Sequence, residues 1–355
     1  MKKLFALVLG MTMMVTGCGN SGTSEAVEEY GSATLKLYNW GEYMGEDLIS
    51  NFEDTFGVKV ILEYFDSNEM MYTKLQSGEF YDVLIPSDYM IERLIADGSL
   101  QALDLSLIPN IGNLSEGVKN LAYDVDNTYS VPYFWGNVGI VYNHDNVDPA
   151  EVERLGYSIL LDETYKGRIY IYDSERDAFM MALKSLGYSM NTDVESEIDA
   201  AYDWLVQLNN TMNPAYVMDE VIDGMINGNK DIAVVYSGDA TTILEENEEM
   251  SFFMPLEGTN IWSDAMVIPA NAENPLLAHE FINYVLTYDA SYDNSITVGY
   301  ASSNKEVLAD LSENEFADNE AYLPRTDYDK DEVFEDNQVL KQKLAELWIK
   351  VKAAN

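Results

Sequence analysis

The sequence predicts an α/β protein of two lobes, each a mostly parallel sheet flanked by helices. Three observations carry this. The first hundred residues read as three successive strand–helix pairs, the pattern of a parallel sheet. A second α/β region runs from Arg168 to Tyr236. The 355 residues, 47% of them hydrophobic, are more than one core accommodates and suit two.

Taken in order, Leu35 to Trp40 alternates apolar and polar residues and reads as a strand. Leu48, Ile49, Phe52 and Phe56 share one helical face, and Gly57 ends that helix. Val58–Tyr64 is a second strand, residues 67–77 a helix stopped by Gly78, and Tyr81–Pro86 a buried type of strand. Ser87 is placed to cap a helix over 88–97. In the second region, 168–172 and 231–236 read as strands, and 175–187, 196–208 and 219–227 as helices. An apolar stretch follows at 265–269, then a helix over 276–288. A last helix carries Leu340, Leu344, Leu347, Trp348 and Val351 on one face.

The N-terminus has a different character. Lys2 and Lys3 precede an apolar run from Leu4 through Val15, the form of a secretion signal and too short to span a bilayer permanently. Val15-Thr16-Gly17-Cys18 resembles the bacterial lipobox, in which cleavage precedes a cysteine that is then lipidated. Cys18 is also the single cysteine of the chain, so no disulfide forms within it. The expectation is a signal peptide over 1–17, then a polar tether over 18–33 that holds the body at the outer face of a membrane, in the periplasm or its equivalent.

Composition excludes more than it identifies. With 20 Lys+Arg against 62 Asp+Glu, the net charge is −42, which repels nucleic acid and anionic lipid. Most of that charge is a solvated surface and does not name a ligand. Two histidines, no phosphate-binding glycine loop, no His-Glu-x-x-His and no Gly-x-Ser-x-Gly argue against the common hydrolytic and nucleotide chemistries. Asp327, Asp329 and Asp331 have calcium-loop spacing, but Glu332 and Gln338 stand where that loop needs Gly and Glu. No cofactor or metal is expected, and no enzymatic activity.

What recurs is an aromatic residue beside a carboxylate where a strand ends, the place where ligands bind in open α/β sheets. The sets are Trp40/Glu42/Tyr43, Asp88/Tyr89, Tyr236/Asp239 and Trp262/Asp264. A carboxylate offsets the desolvation of an ammonium group, and an aromatic face adds cation–π attraction of ~0.5–2 kcal/mol. The pattern suits a small organic cation. A receptor for another solute, such as a quaternary amine or a sugar, and a surface-anchored hydrolase using paired acids are the alternatives.

These same stretches carry a resemblance. Tyr38-Asn39-Trp40-Gly41-Glu42-Tyr43, Ser67–Tyr72, Ile85-Pro86-Ser87-Asp88-Tyr89, Val131–Gly136, Ile261–Asp264 and Val298-Gly299-Tyr300 resemble the bacterial spermidine/putrescine-binding proteins of polyamine ABC importers. The resemblance runs from about Leu35 to the last helix. It implies a periplasmic-binding-protein fold of the type II kind, hinged by crossover strands and closing on its ligand. Lobe 1 is then 34–138 plus 264–308, and lobe 2 is 139–263 plus 309–355. It implies a monomer that hands a polyamine to permease subunits of an ABC transporter.

By the same resemblance Trp40, Glu42, Tyr43, Ser87 and Tyr89 line the first lobe's side of the cleft. Ser174, Arg176, Asp177, Tyr236 and Asp239 come from the second. Trp262 supplies a stacking ring, Asp264 the central carboxylate and Tyr300 an aromatic wall, and Glu335 falls near a polar position. The sequence departs from the spermidine type at Gly41, where that type has Thr, and at Ser174, where it has an acid; Asp173 fills the latter role only with a one-residue shift. Asp239 matches an acid of the putrescine type. Spermidine or dual recognition is the expectation.

Overall fold

The computed structural model describes residues 21–354. The leader and Cys18 lie outside the described residues. Ten strands are present among them: β1 (Thr34–Trp40), β2 (Lys59–Phe65), β3 (Val83–Leu84), β4 (Ser130–Asn143), β5 (Ile169–Tyr172), β6 (Ala215–Val217), β7 (Ile232–Tyr236), β8 (Met250–Phe253), β9 (Ile261–Val267) and β10 (Ala301–Ser302). They follow the order β2-β1-β3-β9-β4-β7-β5-β6, with β8 and β10 also paired to β4.

The outer trios β2-β1-β3 and β6-β5-β7 are parallel, as expected. The centre is antiparallel, because β9 and β4 run against their neighbours. The sheet is therefore mixed rather than mostly parallel throughout. β4 is the reason two lobes arise. Its first half, Ser130–Asn137, pairs with β9, and its second half, Val138–Asn143, pairs with β7 and β8. The chain changes lobe within one strand, at Asn137-Val138.

Local sequence explains the elements. Gly57 takes the left-handed conformation (φ 67°) that ends the helix Leu48–Phe56, a position costly for a residue with a side chain. Phe52 of that helix is fully buried against Phe281 and Tyr284. Ser67 caps the helix Asn68–Gln76, its hydroxyl accepting from the Met70 N–H at 3.2 Å. On the other side of the first sheet, Tyr38 stacks on Tyr81 (4.3 Å) with Phe65 at its edge.

Four expectations are corrected. The tether expected over 18–33 contains a helix, Ser21–Tyr30; its Ala26 is buried and Tyr30 packs on Phe56. The strand expected over 81–86 keeps ladder geometry only at Val83–Leu84. The helix expected over 276–288 is two helices, Pro275–Val285 and Tyr288–Val298. The lobe boundaries also shift. Ile261 already pairs with Asn137, so Trp262 belongs to the first lobe's sheet, and the boundary at 308 falls inside the helix Lys305–Glu313. No helix among the described residues is long and apolar enough to cross a membrane.

Candidate functional site

The two lobes meet along a seam of aromatic rings and carboxylates. On the first lobe, β1 ends at Trp40, whose indole N–H donates to the Ile85 carbonyl (2.9 Å) and whose ring packs on Phe65. Three residues on, Tyr43 is buried against Tyr133, Phe134 and Tyr300. Asn68, the first residue of its helix, holds the next pair. Its amide donates to Ser87 Oγ (3.1 Å) and to the Tyr89 hydroxyl (2.9 Å), and accepts from the Ser87 N–H.

β9 carries the centre. Trp262 and Asp264 are two apart on a strand and therefore share a face. Trp262 presents its ring between the edges of Tyr300 (5.0 Å, 82°) and Tyr236 (6.0 Å, 77°). Gly136, opposite Trp262 on β4, could bear no side chain: a Cβ there would stand 2.8 Å from the indole and 2.3 Å from Ser237 Oγ. Gly238 is likewise required, since a Cβ would lie 2.3 Å from the Tyr300 ring.

The second lobe contributes acids held by tyrosines. Asp177 Oδ2 accepts from the Tyr236 hydroxyl at 2.7 Å. Asp239 accepts from the hydroxyls of Tyr300 (2.9 Å) and Tyr172, and Tyr172 stacks on Tyr236. Tyr300 comes from the first lobe, so the bond to Asp239 crosses the seam. The Arg176 guanidinium also crosses it, lying 3.6 Å over the Tyr89 ring.

The electrostatics of this seam are one-sided. Burial pushes the Asp264 and Asp239 carboxyls up to about 6 and Asp88 up to about 7, and it raises Asp177 as well. No salt bridge to any of these four is formed among the described residues. Two buried polar atoms of the site have no hydrogen-bond partner: Asp177 Oδ1 and Trp262 Nε1. Tyr43 lies near Asp264, and the adjacent carboxylate adds to the upward push of burial on its hydroxyl.

The structure brings Trp40, Tyr43, Ser87, Tyr89, Asp177, Tyr236, Asp239, Trp262, Asp264 and Tyr300 to this one region. Three expected residues stand apart. Ser174 is the N-cap of the helix Glu175–Ser185, its hydroxyl accepting from the Asp177 N–H, so it places Asp177. Asp173 does not replace it; its carboxylate accepts from Trp348 Nε1 (2.8 Å) and Lys352 on the last helix. Glu335 is exposed, with its backbone N–H donating to Asn191. Glu42 is exposed at a left-handed position (φ 49°), near enough to Asp219 to raise that carboxyl, though burial and Glu220 act more strongly there.

Sequence reasoning missed Tyr172 and Asp219. Tyr172 ends β5 and obeys the same strand-end rule that selected Tyr236, so the signal was present. Asp219 follows β6, a three-residue strand with no periodicity to mark it. The acidic run at 327–331 has a structural use: Asp331 takes the Arg325 guanidinium.

Two α/β lobes joined through β4, with polar and aromatic groups gathered in the seam, define a solute-binding protein. Comparison with known proteins agrees. Residues 47–324 match the family model described as bacterial extracellular solute-binding protein, and the chain belongs to that family. It is 35% identical over 273 residues to the spermidine/putrescine-binding periplasmic protein of Escherichia coli (strain K12), covering 76% of this chain and 78% of that one. Among solved structures it is similar to the spermidine/putrescine ABC transporter substrate-binding protein PotD of Streptococcus pneumoniae (35% identity, TM-score 0.79, 91% of this chain and 99% of that). It is also similar to the TpPotD lipoprotein of Treponema pallidum (28% identity, TM-score 0.77, 90% and 99%).

Proposed function

We propose that this protein is an extracytoplasmic receptor for a linear polyamine, spermidine or putrescine, which it delivers to an ABC import permease. The observation that carries the proposal is a set of four carboxylates without a salt-bridge partner, Asp88, Asp177 and Asp264 buried and Asp239 half-buried, walled by Trp262, Tyr43, Tyr236 and Tyr300. A buried carboxylate is costly unless a cation meets it, and a chain of methylenes between ammonium groups fits rings between acids. A sugar would use amides and few charges here, and an anion would be repelled. The names of the relatives support the same ligand class.

In this reading Trp262 stacks on the methylene chain, Asp264 pairs with one nitrogen, and Asp177 and Asp239 pair with others. Lipidation at Cys18 would keep the receptor at the membrane that holds its permease, and the monomer is the working unit. Titration calorimetry of the purified mature chain should give micromolar or tighter binding of spermidine, putrescine or both. Heat with a sugar or an organic anion and none with either amine would overturn the proposal.

A further inference from the structure

Asp88 is the one acid of the four not paired with a ligand nitrogen above, and it is the most thoroughly enclosed of them, 1% exposed. It is the first residue of the helix Asp88–Ala96, where the helix's positive end favours a carboxylate. One oxygen accepts from the Tyr89 N–H at 2.7 Å. The other reaches across to β9 and accepts from the Ser263 N–H at 3.3 Å. Ser263 is the residue between Trp262 and Asp264. Its own side chain faces away from theirs and takes a hydrogen bond from the Tyr123 hydroxyl. Ser87, just before Asp88, bridges Asp264 itself. The helix start and the strand are thus locked at two adjacent points around the central ligand residues.

We propose that Asp88 is a positioning residue of the polyamine site: its carboxylate clamps the backbone between Trp262 and Asp264, fixing both side chains for the ligand. The inference rests on the polyamine reading and deepens it. Both oxygens act as acceptors, so no neutral side chain of this size replaces the group. Asparagine has one acceptor oxygen, and its amide would point donor hydrogens at an N–H. The charged and titratable groups facing Asp88 are Asp264 from β9, Arg176 from the second lobe's helix, Tyr89 on its own helix and Tyr123 from the loop before β4. With burial already lifting its carboxyl to about 7 and Asp264 opposing its charge, a cation seated at Asp264 favours the ionised clamp. Affinity should then climb as pH rises through that range.

The test is spermidine calorimetry on the wild type, Asp88→Asn and Asp88→Ser, at intervals between about pH 5.5 and pH 8. Loss of a charged buried acceptor predicts about 10- to 100-fold weaker binding in both variants at the upper end. It also predicts that the rise in affinity between about pH 6.5 and 7.5 is shallower in the variants than in the wild type, since the other cleft acids still titrate. Asp88→Ser keeps a cap at the helix start, and it carries the test if Asp88→Asn does not fold. Wild-type affinity, or a wild-type pH profile at lowered affinity, in either folded variant overturns the inference. A wild type that binds no polyamine fails the receptor proposal instead, so the two failures are distinct.

Discussion

Two regions of this molecule bury carboxylates and treat them oppositely. Behind the seam, Asp331 is fully enclosed and takes the Arg325 guanidinium, which also reaches the Met254 and Pro255 carbonyls. Nearby, Glu332 takes the buried Lys184. In the seam, Asp88, Asp177 and Asp264 are buried and Asp239 half-buried, but they meet hydroxyls and backbone N–H groups rather than cations. Other enclosed acids outside the seam, Asp82 and Asp124, have no cation but each accepts from three backbone N–H groups. The cleft acids have neither a cation nor that many donors, and they lie where two lobes can close on a cation. Net charge alone could not have shown this, because it counts both kinds alike.

The comparison can be broken by substitution. Asp264→Asn should weaken polyamine binding by about 10²- to 10⁴-fold, the ~3–5 kcal/mol lost when one partner of a buried pair is removed. In the ligand-free protein the same change removes an unpaired buried charge. Its melting temperature at neutral pH should rise, by roughly 1–3 kcal/mol of stability. Asp331→Asn should do the reverse. It strands Arg325 and should cost ~3–5 kcal/mol of stability, read as a fall of about 2–4 °C per kcal/mol in a thermal melt, with little direct effect on ligand contacts.

Two smaller effects sharpen it further. Asp239→Asn removes an acid that bonds Tyr172 and Tyr300 and that resembles the putrescine type. Calorimetry should show affinity falling for both amines, with putrescine falling more, by about tenfold. At the rim, Lys341 of the last helix pairs with Glu69 of the first lobe. The Glu69 side chain is 42% exposed, so Lys341→Met should cost at most ~1 kcal/mol and weaken binding only a few-fold, by loosening closure.

Much of this was legible in the sequence, unevenly. The outer strands announced themselves by local alternation, as where buried Leu35 and Leu37 flank the half-buried Lys36. β4 did not, because it is buried at every position and carries Pro132, Gly136 and Gly139, so no alternation marks it as a strand. The strand-end rule picks out Trp40, Tyr236, Asp239, Trp262 and Asp264, which the fold gathers along one seam, whereas Glu42 beside Trp40 stays exposed. Ser174, a serine just before a helix, serves as its N-cap. Asp219 was invisible, since its proximity to Asp239 is made by the fold and not by spacing. Asp88 was visible as an acid beside an aromatic, but its hold on Ser263 joins residues far apart in the chain.

The central claim is that the cleft acids are destabilising until a polyamine meets them. Each binds its proton more tightly in the folded protein than in the unfolded chain. Between about pH 4 and 7 the native state therefore holds more protons, and stability falls as pH rises. The direct measurement is the melting temperature across about pH 5 to 8, with and without saturating spermidine. The account predicts that the ligand's stabilising shift grows steadily with pH, from small at the acid end to largest at the alkaline end. A shift of constant size across that range, or no shift at all, would contradict it.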